Sequence, residues 1–160
     1  MTEQKAMDLL NEFKQLVAEF HQEKMEYALC GGLAMALYAF PRATLDIDVL
    51  IEPEALEKAK SLAKKCGFVW DAGLMSFSKG SIKIYRLKKM DPDSREPLML
   101  DMLLTTPEIR DVWGSRQILT WDEGSLQVVS PKGLIKLKSM RSSGQDLDDI
   151  KNLERIIHES

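Results

Sequence analysis

Cysteine and histidine are scarce in this chain, with two of each in 160 residues. His21 and His158 lie far apart and have no cysteine at ligand spacing, so a zinc site is not expected. Cys30 and Cys66 do not make a disulfide framework, and both sit in apolar surroundings, which fits a reduced, cytoplasmic setting. Long hydrophobic runs are also missing: none approaches the ~20 residues that span a bilayer. The opening Met1-Thr2-Glu3-Gln4-Lys5 lacks the apolar stretch of a signal peptide. No excess of positive charge is present either. The formal net charge of −3 does not favour wrapping a nucleic-acid backbone, although it leaves open nucleic acid as a substrate. Glycine never forms Gly-x-Gly-x-x-Gly or Gly-Lys-Ser/Thr, so neither a dinucleotide-binding turn nor a P-loop is supported.

The remainder is ordinary globular composition, with 44% hydrophobic and 29% charged residues. That length and composition suit one domain over residues 1–160, with no linker, repeat or low-complexity tract. Helical spacing of Leu9, Leu10, Phe13, Leu16, Val17 and Phe20 predicts a helix over 5–22. A short strand over 27–30 is broken by Gly31-Gly32, and residues 33–40 read as a short helix stopped by Pro41. Residues 45–51 read as a strand. Pro53 opens a helix that reaches about residue 66 and is closed by Gly67. Short strands are expected over 68–71, 74–78 and 82–87, then a polar loop over 90–97. An almost unbroken apolar run over 98–104 predicts a strand buried on both faces. A short helix over 106–114, strands over 117–121 and 126–129, and helices over 131–140 and 146–158 complete the chain. The sum is an α/β (α+β) domain with a mixed sheet flanked by helices.

Its carboxylates call for an explanation. In Leu45-Asp46-Ile47-Asp48-Val49, strand alternation puts Asp46 and Asp48 on one face and Ile47 and Val49 on the other. Two like charges so close repel, and a divalent cation offsets that cost directly. A solvated strand end is the competing explanation of such a triplet. Asp101 stands alone among six apolar residues in Leu98-Met99-Leu100-Asp101-Met102-Leu103-Leu104. A charge buried there needs a partner from elsewhere in the fold. That partner is either a structural arginine or the metal held by Asp46 and Asp48, and the metal is favoured because it accounts for all three. Asp101 turned away from the pair, or neutralised by an arginine of its own, would undo that account and the enzyme reading built on it, leaving an α/β domain of unassigned purpose. Gly31-Gly32, between a strand and a helix, allows a phosphate to approach the backbone closely.

Taken in order, Leu29-Cys30-Gly31-Gly32-Leu33-Ala34, Arg42-Ala43-Thr44-Leu45-Asp46-Ile47-Asp48-Val49 and Leu100-Asp101-Met102 resemble the nucleotidyltransferase superfamily. The resemblance is to its small prokaryotic branch: minimal nucleotidyltransferases, abortive-infection toxin nucleotidyltransferases and aminoglycoside or lincosamide nucleotidyltransferases. It covers about residues 27–104. Leu134-Ile135-Lys136-Leu137-Lys138, Arg141 and Asp146-Leu147-Asp148-Asp149-Ile150 are similar to the helical tail of the toxin-like branch. The resemblance implies a nucleotidyltransferase fold, with a core over about 25–130 and a helical tail over about 131–160. It implies that Asp46, Asp48 and Asp101 bind Mg2+ (or Mn2+) and that Asp101 helps deprotonate the acceptor hydroxyl. It further implies that Gly31 and Gly32 contact the phosphates, that Arg42 and Thr44 orient the triphosphate or the acidic strand, and that Lys136 or Lys138 is a phosphate ligand. For each lysine a solvated helix face is the simpler reading.

The expected activity is transfer of a nucleoside monophosphate from a nucleoside triphosphate to an acceptor hydroxyl of protein, RNA or a small molecule. The alternative is a toxin–antitoxin component acting through a partner protein, with or without retained catalysis. A metal-dependent nuclease is disfavoured because no lysine follows closely after Asp101. A glycosyltransferase using Asp-x-Asp normally needs a longer chain.

Overall fold

The computed structural model describes residues 2–38, 46–90, 96–121, 124–140 and 144–159. The elements in chain order are α1 (Thr2–Gln22), β1 (Ala28–Cys30), α2 (Gly31–Leu37), β2 (Asp46–Ile51), α3 (Leu56–Lys65), β3 (Trp70–Phe77), β4 (Ile82–Met90), β5 (Pro97–Leu104), α4 (Arg110–Gly114), β6 (Gln117–Trp121), β7 (Gly124–Val128), α5 (Pro131–Ser139) and α6 (Gly144–Glu159). The strands form a seven-stranded sheet in the order β3-β4-β5-β2-β1-β7-β6. It is mixed: β2 runs parallel to β5 and β1 parallel to β7, while the other neighbours are antiparallel. This is the α/β architecture that the alternation of helical and strand periodicities predicts.

Three expectations shift in detail. The helix after β1 begins on Gly31 itself rather than past the glycine pair. Pro53 opens a 3-10 turn over Pro53–Ala55 before α3 starts at Leu56. The two short strands expected around residues 68–78 are one strand, β3. The break suggested by Ala72-Gly73 is a bulge, where the register with β4 slips between Asp71 and Gly73. A bulge absorbs one extra residue without ending a ladder, and glycine takes the positive φ of +85° at no steric cost.

The core forms where these patterns agree. On α1, Leu9, Phe13, Leu16, Val17 and Phe20 are all buried, at the helical spacing of the sequence. Phe20 packs its ring on Tyr27 at 5.6 Å between centroids, and Phe13 packs on Trp121 at 6.2 Å. From the sheet, Ile47, Val49, Leu100, Met102 and Leu87 join the same cluster, all fully buried. Lys89 ties helices α1 and α3 to the sheet, its Nζ donating to Glu12 Oε2 at 2.7 Å and to the Cys66 carbonyl at 2.9 Å. Tyr38, just past α2, donates its hydroxyl to the Val129 carbonyl at 3.0 Å. Burial pushes that phenol up to about 12, so it stays a neutral donor at physiological pH.

Helix α5 is held at its start by Ser130, whose Oγ accepts from the Gly133 amide at 3.0 Å, with Pro131 in the first turn. The sequence places the helix start at Pro131, and the structure adds the serine cap before it. Ser130→Ala is expected to cost about 1 kcal/mol of folding stability. Urea titration measures it, and an unchanged midpoint would show that water replaces the cap. Helix α6 packs along α5 with Leu153 fully buried. Among the described residues no helix is long and apolar enough to cross a membrane.

Candidate functional site

Strand alternation and sheet register together build one acidic face. Asp46 and Asp48 are partly accessible while Ile47 and Val49 between and after them are fully buried, as the period of two requires. The parallel pairing of β2 with β5 sets Asp48 beside Asp101. On its other side Asp48 pairs with Cys30, the last residue of β1, which carries the chain directly into Gly31. Cross-strand neighbours share a face of the sheet, so Cys30, Asp48 and Asp101 form one row across three strands. Asp101 thus faces the Asp46/Asp48 side, as the sequence reading required.

The same row continues into β4, where Arg86 pairs with Asp101. Its guanidinium donates from Nε to Asp101 Oδ1 at 2.7 Å and from Nη2 to Oδ2 at 2.9 Å. Of the two partners weighed for this buried carboxylate, the structure supplies the arginine, which corrects the favoured expectation: Asp101 is neutralised by Arg86, and a shared metal no longer carries the enzyme reading. The hydrogen bond to Asp101 holds the guanidinium above its ordinary pKa, and the fields of Asp101, Asp46 and Asp48 add to it. Arg86 senses all three carboxylates. Among the described residues, no group of three carboxylates, histidines or cysteines is close-set enough to hold a metal ion by itself.

These groups line a cavity of about 550 Å³, within the range of small-ligand sites. Its polar lining includes Gly31, Gly32, Asp46, Asp48, Asp101 and Arg86. Its apolar lining includes Met75 and Phe77 from β3, Ile82 and Ile84 from β4, and Leu134 and Leu137 from α5. Lys138 of α5 also lines it and is only 5% exposed, unusual for a lysine.

Gly31 meets the cavity in a way only glycine permits. Its φ is +67°, and a Cβ built there would lie 2.0 Å from Asp48 Oδ2. The Asp48 carboxylate occupies the space a side chain would need. The glycine pair is thus fitted to the acidic strand, a relation that neither segment reveals alone.

The expected site residues divide accordingly. Asp46, Asp48, Asp101, Gly31, Gly32 and Lys138 are brought together. Lys136 is not: its Nζ donates to Asp111 Oδ1 at 2.7 Å, and it is absent from the cavity lining. On α5, Lys136 and Lys138 are two residues apart and so point different ways. Arg42, Thr44 and Arg141 lie outside the described residues, as do the side chains of Asp146, Asp148 and Asp149. Sequence reasoning missed Arg86 and the apolar lining. In Ile82-Lys83-Ile84-Tyr85-Arg86 nothing marks the arginine, and only the register with β5 shows what it meets.

Residues 1–131 match the family described as uncharacterised nucleotidyltransferase. No curated protein matches the chain. Among solved structures, a candidate nucleotidyltransferase (TM1012) from Thermotoga maritima superposes with a TM-score of 0.61 at 13% identity, over 96% of this chain and 94% of that one. The antibiotic-resistance factor ANT(2'')-Ia superposes with a TM-score of 0.66 at 11% identity, over 96% of this chain and 85% of that one. JHP933 from Helicobacter pylori gives 0.57 at 14% identity, over 94% of this chain and 66% of that one. At such identities these structures speak for the fold alone. The family pattern spans most of the chain and takes in the glycine turn, the acidic pair and Asp101, so this protein belongs to the nucleotidyltransferase family.

Proposed function

We propose that this chain transfers a nucleoside monophosphate from a nucleoside triphosphate to an acceptor hydroxyl, in the cavity that Asp48, Asp101 and Arg86 share. The observation that carries this is the convergence, in one cavity, of an acidic pair, a glycine turn and a buried lysine. Magnesium is typically bound by one or two carboxylates together with substrate phosphates, and Asp46 and Asp48 fit that donor set. A divalent ion bound there supplies charge neutralisation for the triphosphate and the departing pyrophosphate.

The chain's own residues do the rest. Gly31 makes room for the Asp48 carboxylate, and Gly32 beside it lines the cavity that takes the triphosphate. Lys138 and Arg86 present positive charge to its oxygens. The acceptor oxygen attacks the α-phosphorus, the bond to the bridging oxygen of the β-phosphate breaks, and pyrophosphate leaves with that electron pair. The hydroxyl proton passes to a carboxylate of the acidic face or to solvent. Positioning and charge complementarity provide most of the rate. The apolar lining of Met75, Phe77, Ile82 and Ile84 suits the base or a non-polar part of the acceptor.

Thermal unfolding with each triphosphate in the presence and absence of Mg2+, followed by pyrophosphate release, tests the reading. Metal-dependent stabilisation by at least one triphosphate is expected, since a ligand that binds only the folded state raises its midpoint. No stabilisation by any of them would overturn it. Lys138→Met keeps the packing of the lysine stem and removes its charge. It is expected to raise the half-saturating triphosphate concentration about tenfold, the equivalent of one charged hydrogen bond. Initial rates of pyrophosphate release measure this, and an unchanged value assigns Lys138 to structure alone.

A further inference from the structure

Asp101 is 4% exposed, and both its oxygens are taken by the guanidinium fork of Arg86. That two-point geometry is one only arginine supplies, and a charge removed from water on these terms is held tightly. A carboxylate so engaged keeps only its remaining lone pairs for any other ligand. Asp46 and Asp48, by contrast, are more accessible, and Asp48 fills the space that Gly31 leaves. Gly73 is the register partner of Arg86 on β3, and a Cβ built there would meet nothing within 4 Å. Arg86 also lines the cavity.

We propose that Arg86 is the cation that meets the transferred phosphoryl group, that Asp101 is its positioning residue, and that Asp46 and Asp48 alone hold the divalent ion. This rests on the transferase reading above and differs from the expected role of Asp101 as a metal ligand. The arginine brings fixed positive charge to the point where negative charge develops, at no cost of rearrangement during the reaction. Asp101 holds the fork in plane and keeps it from collapsing onto Asp46 or Asp48.

Two measurements on the full chain test it. The first is Mn2+ binding without nucleotide, followed by electron paramagnetic resonance. The second is Mg2+-dependent pyrophosphate release. In the paired variant Arg86→Gln with Asp101→Asn, one positive and one negative charge are removed together, so the net charge of the cleft is kept. That variant is expected to bind Mn2+ within about twofold of the wild type, whereas losing a ligand costs roughly 10–100-fold. Asp48→Asn is expected to show that larger loss. Turnover is expected to fall roughly 10²-fold in Asp101→Asn, in Arg86→Lys and in the paired variant alike, because the two residues act as a unit. Arg86→Lys keeps the charge and guards against loss of folding.

A tenfold or greater loss of Mn2+ affinity in the paired variant would make Asp101 a metal ligand and overturn the proposal. Full turnover by Arg86→Lys would overturn it as well, since a point charge would then suffice. A wild-type chain that binds Mn2+ but turns over no triphosphate would sink the transferase reading. The Mn2+ comparison would still decide between the two roles of Asp101.

Discussion

Asp48→Asn is expected to abolish metal-dependent triphosphate turnover, by roughly 10³-fold or more, while leaving the chain folded. The magnitude follows from losing several kcal/mol of charge stabilisation at the phosphate. Asparagine keeps the shape of the side chain and its place against Gly31, so packing around the cavity is preserved. Asp48 also stands beside Asp101 across the parallel ladder, where two carboxylates repel. Removing one of them relieves that repulsion, and the unfolding midpoint should stay within a few degrees of the wild type. Pyrophosphate release and thermal unfolding, measured side by side, separate the two effects. Full turnover by this variant would remove Asp48 from the proposed chemistry.

Gly31→Ala is expected to be nearly as damaging to activity, although it alters no charged group. The added methyl would lie 2.0 Å from Asp48 Oδ2 and 2.7 Å from its Cγ, far inside contact distance. It must also adopt a φ of +67°, which costs an L-residue about 1–2 kcal/mol. The Asp48 side chain is the softer partner and moves first, leaving the geometry needed to share a cation with Asp46. Turnover should therefore fall roughly 10²-fold, with a stability loss of about 1–3 kcal/mol. Gly114→Ala is the control: it lies at the end of α4 with open space around its Cβ and no positive φ. That change should leave both turnover and stability close to wild type. If Gly31→Ala behaves like the control, the close fit of the turn to the acidic strand has no functional weight.

Much of the site was legible before any fold was known, and particular residues show why. Asp46 and Asp48 share a face because a strand repeats every two residues, which is local geometry. Asp101 stood out because six apolar neighbours surround it, and burial of such a run is a local inference as well. The start of α5 at Pro131 and the face of α1 were similarly readable, since a proline in the first turn and the spacing from Leu9 to Phe20 act within a few turns. Lys136 and Lys138 were not separable, because either face of a helix can meet a cleft. Packing of α5 decided it, sending Lys138 to the cavity and Lys136 to Asp111.

Residues close in the chain, then, determined the glycine turn, the paired aspartates, the buried strand around Asp101 and the family likeness they carry together. Only the tertiary structure decided that β5 lies parallel against β2 and antiparallel against β4, which sets Asp48, Asp101 and Arg86 in one row. The physical reason is register. Side-chain alternation says which residues of a strand share a face, but which residue stands opposite on the next strand depends on pairing between segments far apart in sequence. A slip of one residue between β4 and β5 would turn Arg86 to the other face of the sheet and leave the buried carboxylate of Asp101 without its guanidinium.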